Sequence, residues 1–293
     1  MSLVARLRKG GLPYLLLIPG LGWLLLFFAV PLGFMAYESL KSGTFLTGTL
    51  EFTWDFKNYS DAISNYSEQF LRSFEYAGLA TLIALLIGYP LAYVIAFRGG
   101  KWRNALLLAV IVPFFVTYLI RTLSWETILE DDGVVVSTLK SVGILSEDGR
   151  LLDTTVSVVA GITYNFLPFM ILPLYASLER IDHRMLEAGY DLYGRRRDVF
   201  LRVTLPLSMP GVVAGTLLTF IPAAGDFINA ELLGTPRQFM IGNVIQSRYL
   251  EVSDYPTAAA LSFLLMALML VIVLIWARIA GTEALLGTEG ERR

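Results

Sequence analysis

Cysteine is absent from the 293 residues. That excludes disulfide frameworks, thiol nucleophiles and zinc–thiolate centres. Histidine occurs once, as His183. One imidazole cannot build a metal cluster, and no nucleophile is spaced to pair with it. No G-x-x-x-x-G-K-[ST] loop occurs, so the chain has no phosphate loop with which to hold ATP. The basic run Arg195–Arg197 is too short to mark a nucleic-acid surface. The expectation is a chain that is not an enzyme by itself, carries no cofactor and binds no nucleic acid. Charge is scarce as well: 16% of residues are charged, against about 25% in ordinary globular chains.

What replaces charge is apolar sequence. Hydrophobic residues make up 55% of the chain, and the mean hydropathy is +0.62. They come in blocks of roughly 20, the length a helix needs to cross hydrocarbon. Backbone in lipid must satisfy its own hydrogen bonds, so the fold class is an all-α polytopic membrane protein. Six spans are expected, at 13–37, 73–97, 104–125, 154–178, 208–227 and 257–280. The first is too long for the core of a signal peptide and lacks a clear cleavage site. The segment 38–72 reads as a polar, aromatic loop with a short amphipathic helix. The segment 228–256 reads as a loop of intermediate polarity, partly re-entrant. Prolines at 19, 31, 90, 113, 168, 173, 210 and 222 fall in or beside the spans, where each can kink a helix or serve ordinary packing.

Basic residues orient the chain. Fifteen of the 23 Lys and Arg fall in the N-terminal segment 1–12, the turn Arg98–Arg103, the insert 179–207 and the end of the chain, with Arg278 counted beside the tail 281–293. The positive-inside rule puts these parts, and both termini, in the cytoplasm. The opposite face holds 17 of the 25 Asp and Glu, which bears on ligand charge.

The insert is the least apolar stretch. Arg184–Leu192 has good helix formers, with Met185, Leu186, Gly189 and Leu192 forming a partly apolar stripe. Tyr193–Gly194 is a natural break. Arg195–Val203 restarts as a helix, and Pro206 and Pro210 lead into the fifth span. Two short helices about a glycine turn would make a knob with an exposed apolar face. Such a face seeks a protein partner or the lipid interface.

At these residues the chain resembles the permeases of ABC importers. Glu187-Ala188-Gly189, then a glycine, then Leu205-Pro206 is similar to their EAA loop. Two departures stand out: Tyr193 occupies the usual place of the motif glycine, with Gly194 next to it, and the triplet ends in Gly189 rather than Ala. Leu167-Pro-Phe-Met-Ile-Leu-Pro-Leu-Tyr-Ala-Ser-Leu-Glu-Arg-Ile-Asp182 resembles the B-type subunit of spermidine/putrescine permeases. So do Gly225-Asp-Phe-Ile-Asn-Ala-Glu-Leu-Leu-Gly234, Ile241-Gly-Asn-Val-Ile245 and Tyr89-Pro-Leu-Ala-Tyr93. The resemblance runs from about residue 50 onward and implies an ABC type I importer permease fold in the inner membrane. It implies that Glu187, Ala188, Gly189, Asp191, Gly194, Leu205 and Pro206 couple the chain to a cytoplasmic ATPase dimer, which binds the ATP. The further partners implied are a second permease, related but not identical, an external solute-binding protein and membrane lipid.

A polyamine is a flexible polycation. It needs carboxylates for its ammoniums and aromatic faces along its methylenes. Asp226, Glu231, Glu75 and Glu126, with Trp125 and Tyr164, are the candidates on the acidic side. Asp226 would line a pathway or gate, or form a structural ion pair with Arg121. Glu126 is the other carboxylate Arg121 could take. Glu75 and Glu231 are substrate ligands or solvated loop edges, and Trp125 and Tyr164 are ligands or packing aromatics. The function expected is a solute-importing subunit, for polyamines or another small organic or inorganic solute. The contrasting class is a stand-alone channel or membrane scaffold.

Overall fold

The computed structural model describes residues 12–43 and 51–280, which are mostly helical. The expected cytoplasmic tail 281–293, and all of the N-terminal segment but Leu12, lie outside these residues. Among the described residues, five helices are long and apolar enough to cross a membrane, and a sixth span arises if one sharply bent pair counts as a single crossing.

The chain divides into two compact units. Of the described residues, one comprises those up to 65 with 247–264, the other 66–246 with 265–280. In the first unit, α1 (Leu12–Leu24) and α2 (Val30–Ser39) join through a π-helical turn at Leu25–Ala29. Leu16, Trp23 and Phe28 are all exposed, as befits a helix solvated by lipid rather than water. β1 (Lys41–Ser42) pairs antiparallel with β2 (Glu51–Phe52). The start of α3 (Lys57–Arg98) is fastened nearby. Asn58 Nδ2 donates to the carbonyls of Ser39 and Lys41, at 3.0 and 2.8 Å. α3 begins well before the expected second span: residues 57–72 of the loop expected over 38–72, where a short amphipathic helix was expected, are continuous with that span, with a break in helical angles at Tyr66.

In the second unit, the third span is not one helix. α4 (Arg103–Ile111) tightens to a 3-10 turn at Val112–Phe115, then goes extended at Val116 and Thr117 before α5 (Tyr118–Leu129). The two halves bend by 94°. Pro113 lies in the tightened turn, where it lacks the N–H that a continuous helix needs. α6 (Val134–Ser141) follows. α7 (Thr155–Glu179) occupies the stretch expected for the fourth span. Thr154 and Ser157 cap it reciprocally, which satisfies two of the donors a helix start leaves free.

α8 (His183–Tyr193) and α9 (Arg196–Val199) form the insert. A π-helical stretch, Phe200–Thr204, then carries the chain without interruption into α10 (Leu205–Ala224). Hence the insert is not a two-helix knob: its second half is the root of the fifth span. α10 also stops at Ala224, before the expected end at 227. The expected loop after it holds α11 (Ile228–Leu233) and α12 (Ile241–Gln246). Their residues Ala230, Leu233 and Ile241 are fully buried, so this segment is packed inside the unit rather than solvated. α13 (Tyr255–Ala280) is the last long helix.

α7 packs along α10 more extensively than any other pair of helices. A Cβ on Gly211 would stand 2.5 Å from Cβ of Ser177 and 2.7 Å from the carbonyl of Pro173. One on Gly215 would stand 2.9 Å from Sδ of Met170. Small residues let two membrane helices approach to backbone contact, and dispersion then holds them together.

Candidate functional site

Two clusters lie at opposite ends of α10. Leu205 and Pro206 open that helix, and Asp226 sits two residues beyond its close. Twenty residues at 1.5 Å per residue separate the ends by about 30 Å.

At the first end, Asp182 caps α8: its Oδ1 accepts the Arg184 N–H at 2.9 Å. Glu187, Ala188 and Asp191 are exposed. Gly189 faces inward instead, and a Cβ there would lie 3.2 and 3.3 Å from methyls of Val203 and Val199. The triplet's third position is where α8 rests on the root of the fifth span, and glycine gives the closest seat. Gly194 ends the helix with φ +67°, and its N–H donates to the Tyr190 carbonyl at 2.8 Å. Tyr193 remains helical, and the Arg202 guanidinium stacks 5.0 Å from its ring. The turn therefore falls on Gly194, one residue after the usual motif position. Met185 and Leu192 are exposed, whereas Leu186 packs into a core of Leu174, Leu178 and Ile181. Leu205 is half-buried and Pro206 exposed. Arg103, from the basic turn, ion-pairs with Glu179, and its Nε donates to the Tyr175 hydroxyl at 2.5 Å. His183 meets the ring of Phe97 at 6.0 Å.

At the second end, Asp226 is 7% exposed. The Tyr118 hydroxyl and Asn229 Nδ2 donate to its Oδ2 at 2.5 and 2.6 Å, and the Asn229 N–H reaches its Oδ1 at 3.2 Å. Asn229 Oδ1 in turn accepts from Asn165 Nδ2 at 3.2 Å, and Asn165 Nδ2 also reaches Thr122 Oγ1 at 3.2 Å. Thus α5, α7 and α11 are tied by one buried polar chain through Asp226. Among the described residues, no ion pair joins Arg121 to Asp226 or Glu126. The structural pairing offered as the alternative for Asp226 is therefore not formed. Its place is taken by neutral donors, and Arg121 stacks on Phe114 and Tyr118.

Trp125 and Tyr164 do come together. Their rings meet edge to face, with centroids 5.4 Å apart. They share the wall of an open cleft of about 460 Å³ with Leu79, Ile83, Val159 and Leu167. Glu126 is half-buried beside Trp125 in sequence, while Glu75 and Glu231 are exposed on α3 and α11. Tyr118, Thr122, Asn165 and Asn229 were not singled out by the sequence. One signal was available: Asn165 is a carboxamide in the middle of a 25-residue apolar helix, where an unpaired polar side chain is costly. Tyr118 and Thr122, one turn apart on α5, gave no comparable signal.

Residues 84–281 match the family described as binding-protein-dependent transport system inner membrane component. The chain is similar to the spermidine/putrescine transport system permease protein PotB of Haemophilus influenzae. The two are 40% identical over 223 residues, which cover 76% of this chain and 78% of the relative. The PotB protein of Escherichia coli K12 is 36% identical over 259 residues, which cover 88% of this chain and 94% of that one. Among solved structures, the fold is similar to a chain of a bacterial alginate ABC transporter crystallised with an alginate pentasaccharide-bound periplasmic protein. The TM-score is 0.70 with 20% identity, covering 97% of this chain and 99% of the other. At that identity the likeness speaks for the fold alone.

Proposed function

The chain belongs to the binding-protein-dependent transport system inner membrane component family, and from that membership we propose that the solute it passes is a polyamine, spermidine or putrescine. It is a permease subunit of an ABC importer in the inner membrane. The observation that carries the choice of solute is its 36–40% identity to spermidine/putrescine permeases along most of its length.

The physical features agree with a cationic cargo. Glu75 and Glu231 are exposed on the second unit. The Trp125–Tyr164 pair offers aromatic faces to an alkyl chain with ammonium ends. Asp226, fully engaged by Tyr118 and Asn229, acts as the hinge pin of a gate rather than as a direct ligand. In this reading the solute passes from an external binding protein along that end of the second unit. α8 docks on a cytoplasmic ATPase dimer, which holds the ATP, through Glu187, Ala188, Asp191 and the Gly194 turn. Leu205 and Pro206 then convert a push on α8 into a tilt of α10, because Gly189 seats α8 directly on the residues that lead into that helix. A second permease completes the pathway. The distribution of Lys and Arg supports cytoplasmic termini.

The test is uptake by vesicles containing the complete complex. Labelled spermidine should enter only with ATP and the binding protein, and unlabelled putrescine should compete. A complex that moves some other solute but no polyamine would overturn the reading.

A further inference from the structure

Arg121 is 7% exposed, and its Nε is buried without a partner. No carboxylate among the described residues pairs with it. The guanidinium lies 5.2 Å from the Phe114 ring and 5.6 Å from the Tyr118 ring. These two rings flank the break in the third span, one before it and one after. A guanidinium withdrawn from water and left without an anion is strongly unfavourable. Stacking on two aromatic faces offsets only part of that cost.

The same place holds a second source of positive potential. α5 begins at Tyr118, and Thr117 makes no side-chain cap. Among the described residues the N–H groups of Tyr118, Leu119 and Ile120 have no acceptor. The N-terminus of a helix, with its free N–H groups and its dipole, attracts negative charge. Two independent features thus converge on one elbow, and both lack an anion.

We infer that this elbow is a carboxylate-binding site, and that its occupant is an Asp or Glu side chain of the second permease subunit. Access argues against a lipid phosphate. Arg121 is 7% exposed and its guanidinium is held against the Phe114 and Tyr118 rings, so a small planar carboxylate on a side chain reaches it where a phosphate inside a headgroup is too bulky. Carboxylate also matches the guanidinium fork in two parallel hydrogen bonds. The surroundings suit a protein contact: Phe115 is 84% exposed, and Val116, Leu119 and Ile120 are exposed beside it. An apolar rim around one charged pair, desolvated on docking, is the anatomy of an interface centre. The apolar rim supplies area, and the Arg121–carboxylate pair fixes register and choice of partner. The inference rests on the chain being one of two permeases and not on the nature of the solute.

The test uses the complete complex in membranes. First, the photo-crosslinker p-benzoylphenylalanine replaces Phe115. Illumination should join this chain to the second permease. Crosslinks confined to lipid, or to the binding protein, would overturn the assignment. Second, Arg121→Gln should lower the amount of second permease co-purified with this chain at least tenfold, with Arg121→Lys retaining most of it. Wild-type recovery with Arg121→Gln would also overturn the assignment. Where Arg121→Gln fails to accumulate, the crosslink decides alone. Third, Arg121→Glu should be rescued by an acid-to-Arg change at the crosslinked position of the partner. Failure of every such reversal to restore assembly would mean that the pair does not exist.

Discussion

The Tyr118 hydroxyl donates to Asp226 Oδ2 at 2.5 Å, although 108 residues separate the two in the chain. Asn229 Nδ2 donates to the same oxygen at 2.6 Å and to the Tyr118 oxygen at 2.5 Å. The three groups close a triangle that pins the start of α5 to the turn after α10. Tyr118→Phe removes one donor while keeping the ring. It should lower stability by about 1–3 kcal/mol, the range for a lost hydrogen bond to a charged or buried group. Asp226→Asn can keep an oxygen facing Tyr118 and Asn229 Nδ2 only by turning its NH2 toward the Asn229 N–H that now donates to Oδ1, and it should cost at least as much, with a several-fold fall in uptake. Thermal unfolding of the purified complex gives the double-mutant cycle. A coupling of about 0.5–3 kcal/mol is expected for partners in contact, and strict additivity would mean that the triangle does not act as a unit.

The α7–α10 seam predicts a second result. Gly211→Ala inserts a methyl that would meet Ser177 Cβ at 2.5 Å and the Pro173 carbonyl at 2.7 Å. Neither neighbour is the far end of a flexible side chain, so the helices must part. A loss of about 1–3 kcal/mol is expected, as for an overpacked core. Gly78→Ala is the control, because a Cβ there meets nothing within 4 Å. Equal melting temperatures for the two variants would show that the seam is not tight.

The Trp125–Tyr164 pair gives a prediction about the cargo. If the cleft holds an ammonium or the methylenes beside it, Trp125→Leu keeps the apolar lining and deletes the cation–π contact. Contacts of about 0.5–2 kcal/mol translate into a half-saturation concentration raised about two- to thirtyfold, with maximal uptake retained. Concentration-dependent uptake of labelled spermidine measures this. An unchanged half-saturation value would return both rings to a packing role.

Much of this architecture was legible because a membrane helix declares itself by length and composition. The residues of α7 stood out as a block of apolar sequence, and the structure folds them as one helix. The third span misled because apolar length alone cannot report a break. Pro113 was visible, yet the same residue type sits inside α3 at Pro90 and inside α7 at Pro168 without interrupting either helix. Proline type alone therefore does not separate a broken span from a continuous one. The insert's charge was legible, and so was the glycine at its turn. That α9 continues into α10 was not, because a π-helical stretch carries no periodic signature. Asp226 could be noticed alone, since a carboxylate beside an apolar run is conspicuous. Asn229 lies three residues on and reaches it locally, but no local pattern brings Tyr118 to Asp226 or Asn165 to Asn229, because those partners are 108 and 64 residues away in the chain.

The turn of the insert tests register most directly. Gly194 has φ +67° and ψ −31°, a sparsely populated conformation that costs a residue with a Cβ about 1–3 kcal/mol. A Cβ there meets no atom within 4 Å, so the cost of Gly194→Ala is conformational rather than steric. The variant should still insert and assemble, with a modest loss of uptake. The double change Tyr193→Gly with Gly194→Ala is the sharper probe. It moves the permissive residue to the position usual in the family and removes the ring on which Arg202 stacks at 5.0 Å. If α8 docks on the ATPase with its end fixed by Gly194, the shifted turn should uncouple ATP hydrolysis from transport. ATPase activity would then persist while uptake falls at least tenfold. Glu187→Arg, on the exposed face of α8, should give the same pattern by reversing a charge at the contact without moving the turn. Uptake that survives both changes would mean that the ATPase reaches this chain by some surface other than α8.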